Sequence, residues 1–124
     1  MSPAPRLDGL HVLVVEDEYY IAREISAALA RAGATVVGPA SCVADAMALL
    51  VDHPIDCAVL DINLQGARVL PLAKILNAEG VGVVFATGYD REAVEGAVEG
   101  GIHLMKPVDL QMLLRSIADQ CAAR

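Results

Sequence analysis

Short apolar runs recur along this chain, and polar side chains stand directly after four of them. Val12-Leu13-Val14-Val15 is followed by Glu16-Asp17, and Ala58-Val59-Leu60 by Asp61. Val83-Val84-Phe85-Ala86 is followed by Thr87, and Ile102-His103-Leu104-Met105 by Lys106. A fifth run, Thr35-Val36-Val37, is closed by Gly38-Pro39. These runs predict strands over His11–Val15, Thr35–Val37, Ile55–Asp61, Val81–Ala86 and the segment that follows Gly100-Gly101.

Between the strands the apolar spacing becomes helical. From about Glu18 to Ala32, Ile21, Ile25, Leu29 and Ala32 share a face, and Gly33 ends the helix. A second helix runs from about Val43 to Val51, with Val43, Met47 and Leu50 on one face and His53-Pro54 as its stop. The third spans roughly Leu70 to Ala78; Pro71 suits its first turn and Gly80 its end. A fourth, from Arg91 to Val98, contains Gly96 and mostly small or charged residues, which predicts the least stable element. The last opens on Asp109 as N-cap and carries Leu110, Leu113, Leu114, Ile117 and Cys121 as one stripe. Residues 1–9, with Pro3 and Pro5, read as a flexible tail ahead of a single domain over 10–124.

Strand and helix thus alternate as (βα)5. That order implies an α/β, doubly wound parallel sheet with right-handed crossovers and helices on both faces. In such a sheet the ligand sits in the crevice outside the carboxyl ends of the strands. Glu16, Asp17, Asp61, Thr87 and Lys106 would all meet there.

Composition narrows the picture further. The chain has 124 residues, 56% of them hydrophobic and only 3% aromatic, without tryptophan, so one aliphatic core is expected. A net charge of −7 and the absence of any basic run exclude nucleic-acid binding through the bulk field. Cys42, Cys57 and Cys121 form no CxxC pair, so no zinc or redox motif is read from them; buried, reduced thiols are expected. Neither a signal peptide nor a membrane span is evident, which predicts a cytoplasmic protein with no membrane partner.

Three carboxylates at close range need a compensating cation. Hard oxygen donors favour Mg²⁺, which binds one or two carboxylates together with phosphate oxygens. Lys106 adds a fixed positive charge and Thr87 a hydroxyl donor. Together with the metal they would stabilise the equatorial oxygens of a transferring phosphoryl group, leaving Asp61 as the nucleophile.

Four motifs in order, Val15-Glu16-Asp17-Glu18, Leu60-Asp61-Ile62-Asn63, Ala86-Thr87-Gly88 and Lys106-Pro107, make the chain resemble a receiver domain of a bacterial two-component response regulator. The resemblance extends from Leu10 to Ala122. It implies a flavodoxin-like sheet of order 2-1-3-4-5 and a phosphorylation switch without an output domain. Asp61 would accept a phosphoryl group from a phosphohistidine donor on a histidine kinase or histidine phosphotransfer protein. Glu16, Asp17, Asp61 and the backbone carbonyl of Asn63 would hold Mg²⁺, with Asp17 the most direct ligand. Thr87 and Lys106 would bind the incoming group, and the Lys106–Pro107 peptide bond would be cis. The segment Phe85-Ala86-Thr87-Gly88-Tyr89 also resembles a single-domain subfamily with a Phe-Ala-Thr-Gly-x-Tyr motif, although here Tyr89 follows the glycine directly.

One residue departs from the family's pattern. Three positions before the lysine most receivers carry a Tyr or Phe that swings with the phosphorylated state, and this chain has His103. Thr87, Tyr89 and His103 are therefore the expected switch residues, with Tyr89 as a substitute for the missing aromatic. His11 and His53 read as structural, and Tyr19 and Tyr20 as packing in a first helical turn.

The implied readout is a changed affinity for a downstream protein partner, by a monomer or weak dimer that catalyses only its own phosphorylation and dephosphorylation. The alternative is a phosphorylation-independent interaction module on the same fold. A haloacid dehalogenase-type phosphatase would need a second Asp where Asn63 stands. In a flavin-binding protein, Glu16-Asp17-Glu18 would repel the phosphate.

Overall fold

The computed structural model describes residues 5–62, 64, 69–87 and 102–122, with the side chains of Thr87 and Ala122 excepted. Within them, strands β1 (His11–Val15), β2 (Thr35–Ala40), β3 (Cys57–Asp61), β4 (Gly82–Thr87) and β5 (Ile102–Met105) alternate with helices α1 (Tyr19–Arg31), α2 (Val43–Asp52), α3 (Val69–Ala78) and α4 (Leu110–Ala122). All strand pairs are parallel, and the sheet order is β2-β1-β3-β4-β5. The architecture and strand order are those expected from the sequence. The helix expected over 91–98 lies outside the described residues. Among the described residues no helix is long and apolar enough to cross a membrane.

The strands at the sheet centre are apolar on both faces because both faces are covered. Leu13, Val15, Ala58, Leu60, Val83 and Phe85 join Ala46 of α2 and Leu72, Ala73 and Leu76 of α3 in one buried layer. The alternate residues Val12, Val14, Cys57, Val59 and Val84 join Ile25 and Leu29 of α1 and Leu113 and Ile117 of α4 in the other. The period-two alternation along each strand thus divides the core into two layers with the sheet between them. Asp109 caps α4, its Oδ1 accepting from the Gln111 and Met112 backbone N–H groups at 2.9 and 3.2 Å.

Within the segment expected to be a flexible tail, residues 1–9, Arg6 and Leu7 are docked on the domain. Leu7 is buried in the α1/α4 layer at 1% exposure. Its N–H donates to the Ala32 carbonyl at 2.8 Å, and Arg6 Nη1 donates to the Arg31 carbonyl at 2.9 Å. Residues 6 and 7 therefore satisfy carbonyls at the end of α1 that have no intrahelical partner. An apolar side chain and two hydrogen bonds repay the ordering of a segment that polar composition alone would leave free.

The second strand is also longer than Gly38-Pro39 suggested, continuing to Ala40. It is an edge strand, where a proline without an N–H is tolerated. Gly38 takes φ +98°, and a Cβ there would come within 2.8 Å of the Ala40 nitrogen and 3.0 Å of the Val14 carbonyl oxygen. This tight passage, with a register shift between Leu13 and Val15, restores pairing as Val15↔Ala40. At the other end of the sheet, β3 starts at Cys57, two residues later than expected. There the Asp56 N–H donates to the His11 carbonyl, and Asp56 Oδ2 accepts from the His11 N–H, both at 2.8 Å.

Tyr19 and Tyr20 do not pack into the first turn of α1. They are 68% and 77% exposed and contact each other edge to face, with ring centroids 5.5 Å apart. Of the three cysteines only Cys57 is fully buried; Cys42 and Cys121 are half-buried.

Docking of the amino-terminal segment has a measurable consequence. Leu7→Ala should lower stability by about 2–4 kcal/mol, as for other buried leucines. Urea unfolding followed by circular dichroism measures this; a loss below about 0.5 kcal/mol, typical of an exposed position, would restore the tail reading.

Candidate functional site

Strand ends set the position of each reactive group. β1 runs into Glu16, whose N–H donates to the Ala40 carbonyl at 3.0 Å, so the extension of β2 fixes the backbone that carries the acidic pair. Asp61 is the last residue of β3, in register with Ala86 of β4, and the Ile62 N–H donates to the Ala86 carbonyl at 3.1 Å. Lys106 follows β5 directly, and its bond to Pro107 is cis. Neighbouring parallel strands lie about 5 Å apart, so the residues closing β1 and β3 are adjacent, while β5 stands two strands beyond β3 and reaches back through the long side chain of Lys106.

The side chains converge. Carboxylate oxygens of Glu16, Asp17 and Asp61 lie within 4.8 Å of one another. Lys106 Nζ is 3.1 Å from Glu16 Oε2 and 3.2 Å from Asp61 Oδ2. Glu16 and Asp61 are almost fully buried, at 4% and 2% exposure, while Asp17 is half-buried. Glu16 Oε1 accepts from the Glu18 N–H at 3.1 Å. Its buried Oε2 accepts no aligned hydrogen bond and relies on the charge of the nearby ammonium.

These surroundings move both ionisable partners. Burial pushes the Glu16 carboxyl up to about 7, and proximity to Asp61 adds to the rise, against the opposing pull of the Glu18 N–H and Lys106. Burial works to lower the Lys106 ammonium, but Glu16 and Asp61 outweigh it and hold its pKa above the usual lysine value. One ammonium therefore sits between two buried carboxyl groups, with the half-buried Asp17 carboxyl in the same cluster. The donor set is all hard oxygen, and one buried carboxylate oxygen lacks a hydrogen bond; both properties suit a small divalent cation such as Mg²⁺.

Of the residues singled out from the sequence, Glu16, Asp17, Asp61 and Lys106 come together. Thr87 closes β4 with its backbone in register with Met105, at the same edge of the sheet. Its side chain, together with Asn63 and Tyr89, lies outside what the structure describes. His103 is exposed on β5 and stacks on the buried Phe85, with centroids 4.8 Å apart and planes 9° from parallel. The partial burial that comes with stacking lowers its pKa. His11 Nδ1 lies 3.4 Å from Asp56 Oδ2, and His53 Nδ1 lies 3.2 Å from the Leu49 carbonyl oxygen, both remote from this edge.

One feature was not foreseen. Ala40 contributes through its carbonyl alone, and a backbone role leaves no mark on residue type. The meeting of Lys106 with Glu16 and Asp61 was expected from the polar residues that follow β1, β3 and β5, although Glu16 and Lys106 are 90 positions apart.

The raised Glu16 pKa fixes a pH dependence. A carboxyl at about 7 in the folded chain against an ordinary 4.5 keeps a proton that the unfolded chain releases. Its contribution to stability is therefore complete below about pH 4.5 and is lost as pH rises through about 7. In EDTA, the urea midpoint should fall between about pH 5 and about pH 7.5, and Glu16→Gln should flatten that slope. Parallel profiles for the two proteins would refute the assignment.

Comparison with known proteins agrees with this geometry. The family described as response regulator receiver domain matches residues 12–118. The sensory transduction protein LytT of Bacillus anthracis is 32% identical over 112 residues, 87% of this chain and 46% of that protein. The chain thus spans about half the length of the curated relatives it matches. Among solved structures, SdrG from Sphingomonas melonis Fr1 is 32% identical with a TM-score of 0.77, covering 96% of this chain and 98% of that one. A response regulator receiver protein from Sinorhizobium medicae shares the fold, with a TM-score of 0.84 at 23% identity over 94% of this chain and 98% of that one. The match runs through β1 to α4, the same stretch that gathers the acidic cluster and Lys106 at one edge of the sheet. This chain belongs to the response regulator receiver domain family.

Proposed function

We propose that this domain is a phosphorylation switch in which Asp61 accepts a phosphoryl group from a phosphohistidine of a histidine kinase or histidine phosphotransfer protein. The observation that carries the reading is the Asp61 carboxylate, buried at the sheet edge among oxygen donors and 3.2 Å from Lys106 Nζ. An Asp61 oxygen attacks phosphorus, the phosphorus–nitrogen bond of the donor breaks, and the imidazole leaves. Lys106 is already drawn toward Asp61 and turns from that carboxylate to the new phosphoryl oxygens. Glu16 holds the other side of the ammonium, so the lysine stays in the site while its partner changes. The Thr87 hydroxyl supplies a further donor at the end of β4.

Asp17 and Asp61, with Glu16 and the carbonyl of Asn63, would hold Mg²⁺. Bound there, the ion neutralises charge that develops on the phosphoryl oxygens. The domain acts on no other substrate; it catalyses only its own phosphorylation and dephosphorylation. The added charge at Asp61 is read through Thr87, Tyr89 and the Phe85–His103 stack, and it alters affinity for a downstream protein. The name of the LytT relatives, sensory transduction protein, supports a signalling role.

Intact mass after incubation with acetyl phosphate and Mg²⁺ tests this reading. The wild type should gain one phosphate-sized increment, which EDTA prevents and Asp61→Asn abolishes. Asp17→Asn should weaken Mg²⁺ binding, measured by calorimetry, by about tenfold or more. A chain that binds Mg²⁺ with unchanged affinity after Asp17→Asn and gains no mass even from a phosphohistidine donor would be a phosphorylation-independent interaction module instead.

A further inference from the structure

At the opposite, amino-terminal end of the sheet lies a second pair of reactive side chains that phosphotransfer does not use. Cys57 opens β3 and is fully buried in the layer formed with α1 and α4. Cys121, in the last turn of α4, is half-buried and packs against the same layer. Its Sγ lies 4.0 Å from the Asp56 carbonyl oxygen, an atom of the peptide group that leads into Cys57.

A glycine sets how closely this turn approaches the sheet. Gly82 of β4 is the register partner of Cys57. A Cβ on Gly82 would fall 2.8 Å from Gln120 Cβ, closer than real side-chain carbons come. The residue before Cys121 is therefore seated directly on the rung that contains Cys57. Adjacent parallel strands are about 5 Å apart, and a disulfide spans Cα atoms about 4–7 Å apart. His11 and Asp56 also stand at this end. Among the described residues, however, the only cluster of three or more potential metal ligands is Glu16, Asp17 and Asp61, so the chemistry left to the two cysteines is that of thiols.

We propose that Cys57 and Cys121 form an oxidation site that a peroxide converts to an intramolecular disulfide. The half-buried Cys121 reacts first. Its sulfur attacks a peroxide oxygen, the O–O bond breaks, and Cys121 becomes a sulfenic acid with release of water. The Cys57 sulfur then attacks Cys121 Sγ, the S–O bond breaks, and a second water leaves with the Cys57 proton. In sum, two thiols and one hydrogen peroxide give one disulfide and two waters. The bond ties the helix that follows Lys106 to the start of the strand that ends at Asp61. Cys42 lies before α2 and takes no part in this buried layer, so it serves as an internal control.

The test treats the reduced full chain with a small excess of hydrogen peroxide, quenches in acid, and alkylates in denaturant with N-ethylmaleimide before mass measurement. The expected product is two hydrogens lighter and carries one adduct, on Cys42, and non-reducing digestion yields a Cys57–Cys121 linked peptide. Dithiothreitol should restore three adducts. Cys42→Ser should form the same link, and Cys121→Ser should not. Three alkylated thiols after peroxide, a link through Cys42 or between two chains, or a sulfinic acid on Cys121 without the link would overturn the proposal.

Discussion

The ammonium of Lys106, lodged between two buried carboxyl groups, is the interaction on which the site depends. Without it Glu16 and Asp61 would face each other with no cation among the described side chains, a costly juxtaposition of two buried carboxyl groups. The arrangement is costly because both carboxyl groups have left water. It is tolerated because the sheet fixes the distances. β1, β3 and β5 deliver their terminal residues to one edge through rigid backbone ladders, so the charges need little further ordering. The raised Glu16 pKa is the residue of that cost, an imbalance that one lysine does not fully remove.

A charge imbalance of this kind is also what makes a site responsive. A fully compensated cluster would gain nothing from a new ion, whereas one ammonium among three carboxyl groups leaves negative charge that a hard cation would offset. The surrounding fold holds the charges in place. Apolar layers above and below the sheet hold the strands in place, and the extension of β2 to Ala40 anchors the backbone at Glu16. Core and site are thus one design, in which aliphatic strands supply the precision that the electrostatics require.

Much of this was legible in the sequence, for identifiable reasons. Buried parallel strands are apolar on both faces, so Val12 to Val15 and Ala58 to Leu60 stand out as uninterrupted runs, and the polar residues after them mark the functional edge. α4 was equally clear, because a capping aspartate and a leucine stripe agree. What could not be read was structure carried by the backbone or by a single apolar residue. Leu7 has no periodic neighbours among the prolines, so nothing announced its place in the core. Gly38-Pro39 looked like a stop because local propensity says so, yet an edge strand tolerates both. Tyr19 and Tyr20 fall in a helical segment, but helical phase alone did not show that both rings face outward.

The outward-facing tyrosine pair has a consequence in a different domain, that of light. The chain contains no tryptophan and three tyrosines. Two of them, Tyr19 and Tyr20, sit edge to face in water two and three residues beyond Asp17. With no tryptophan, the longer-wavelength ultraviolet absorption and emission of this protein belong to its tyrosines, and two of the three stand exposed side by side on the first turn of α1. The molecule thus carries a surface optical probe in the helix that follows its acidic pair, with no core indole to obscure it.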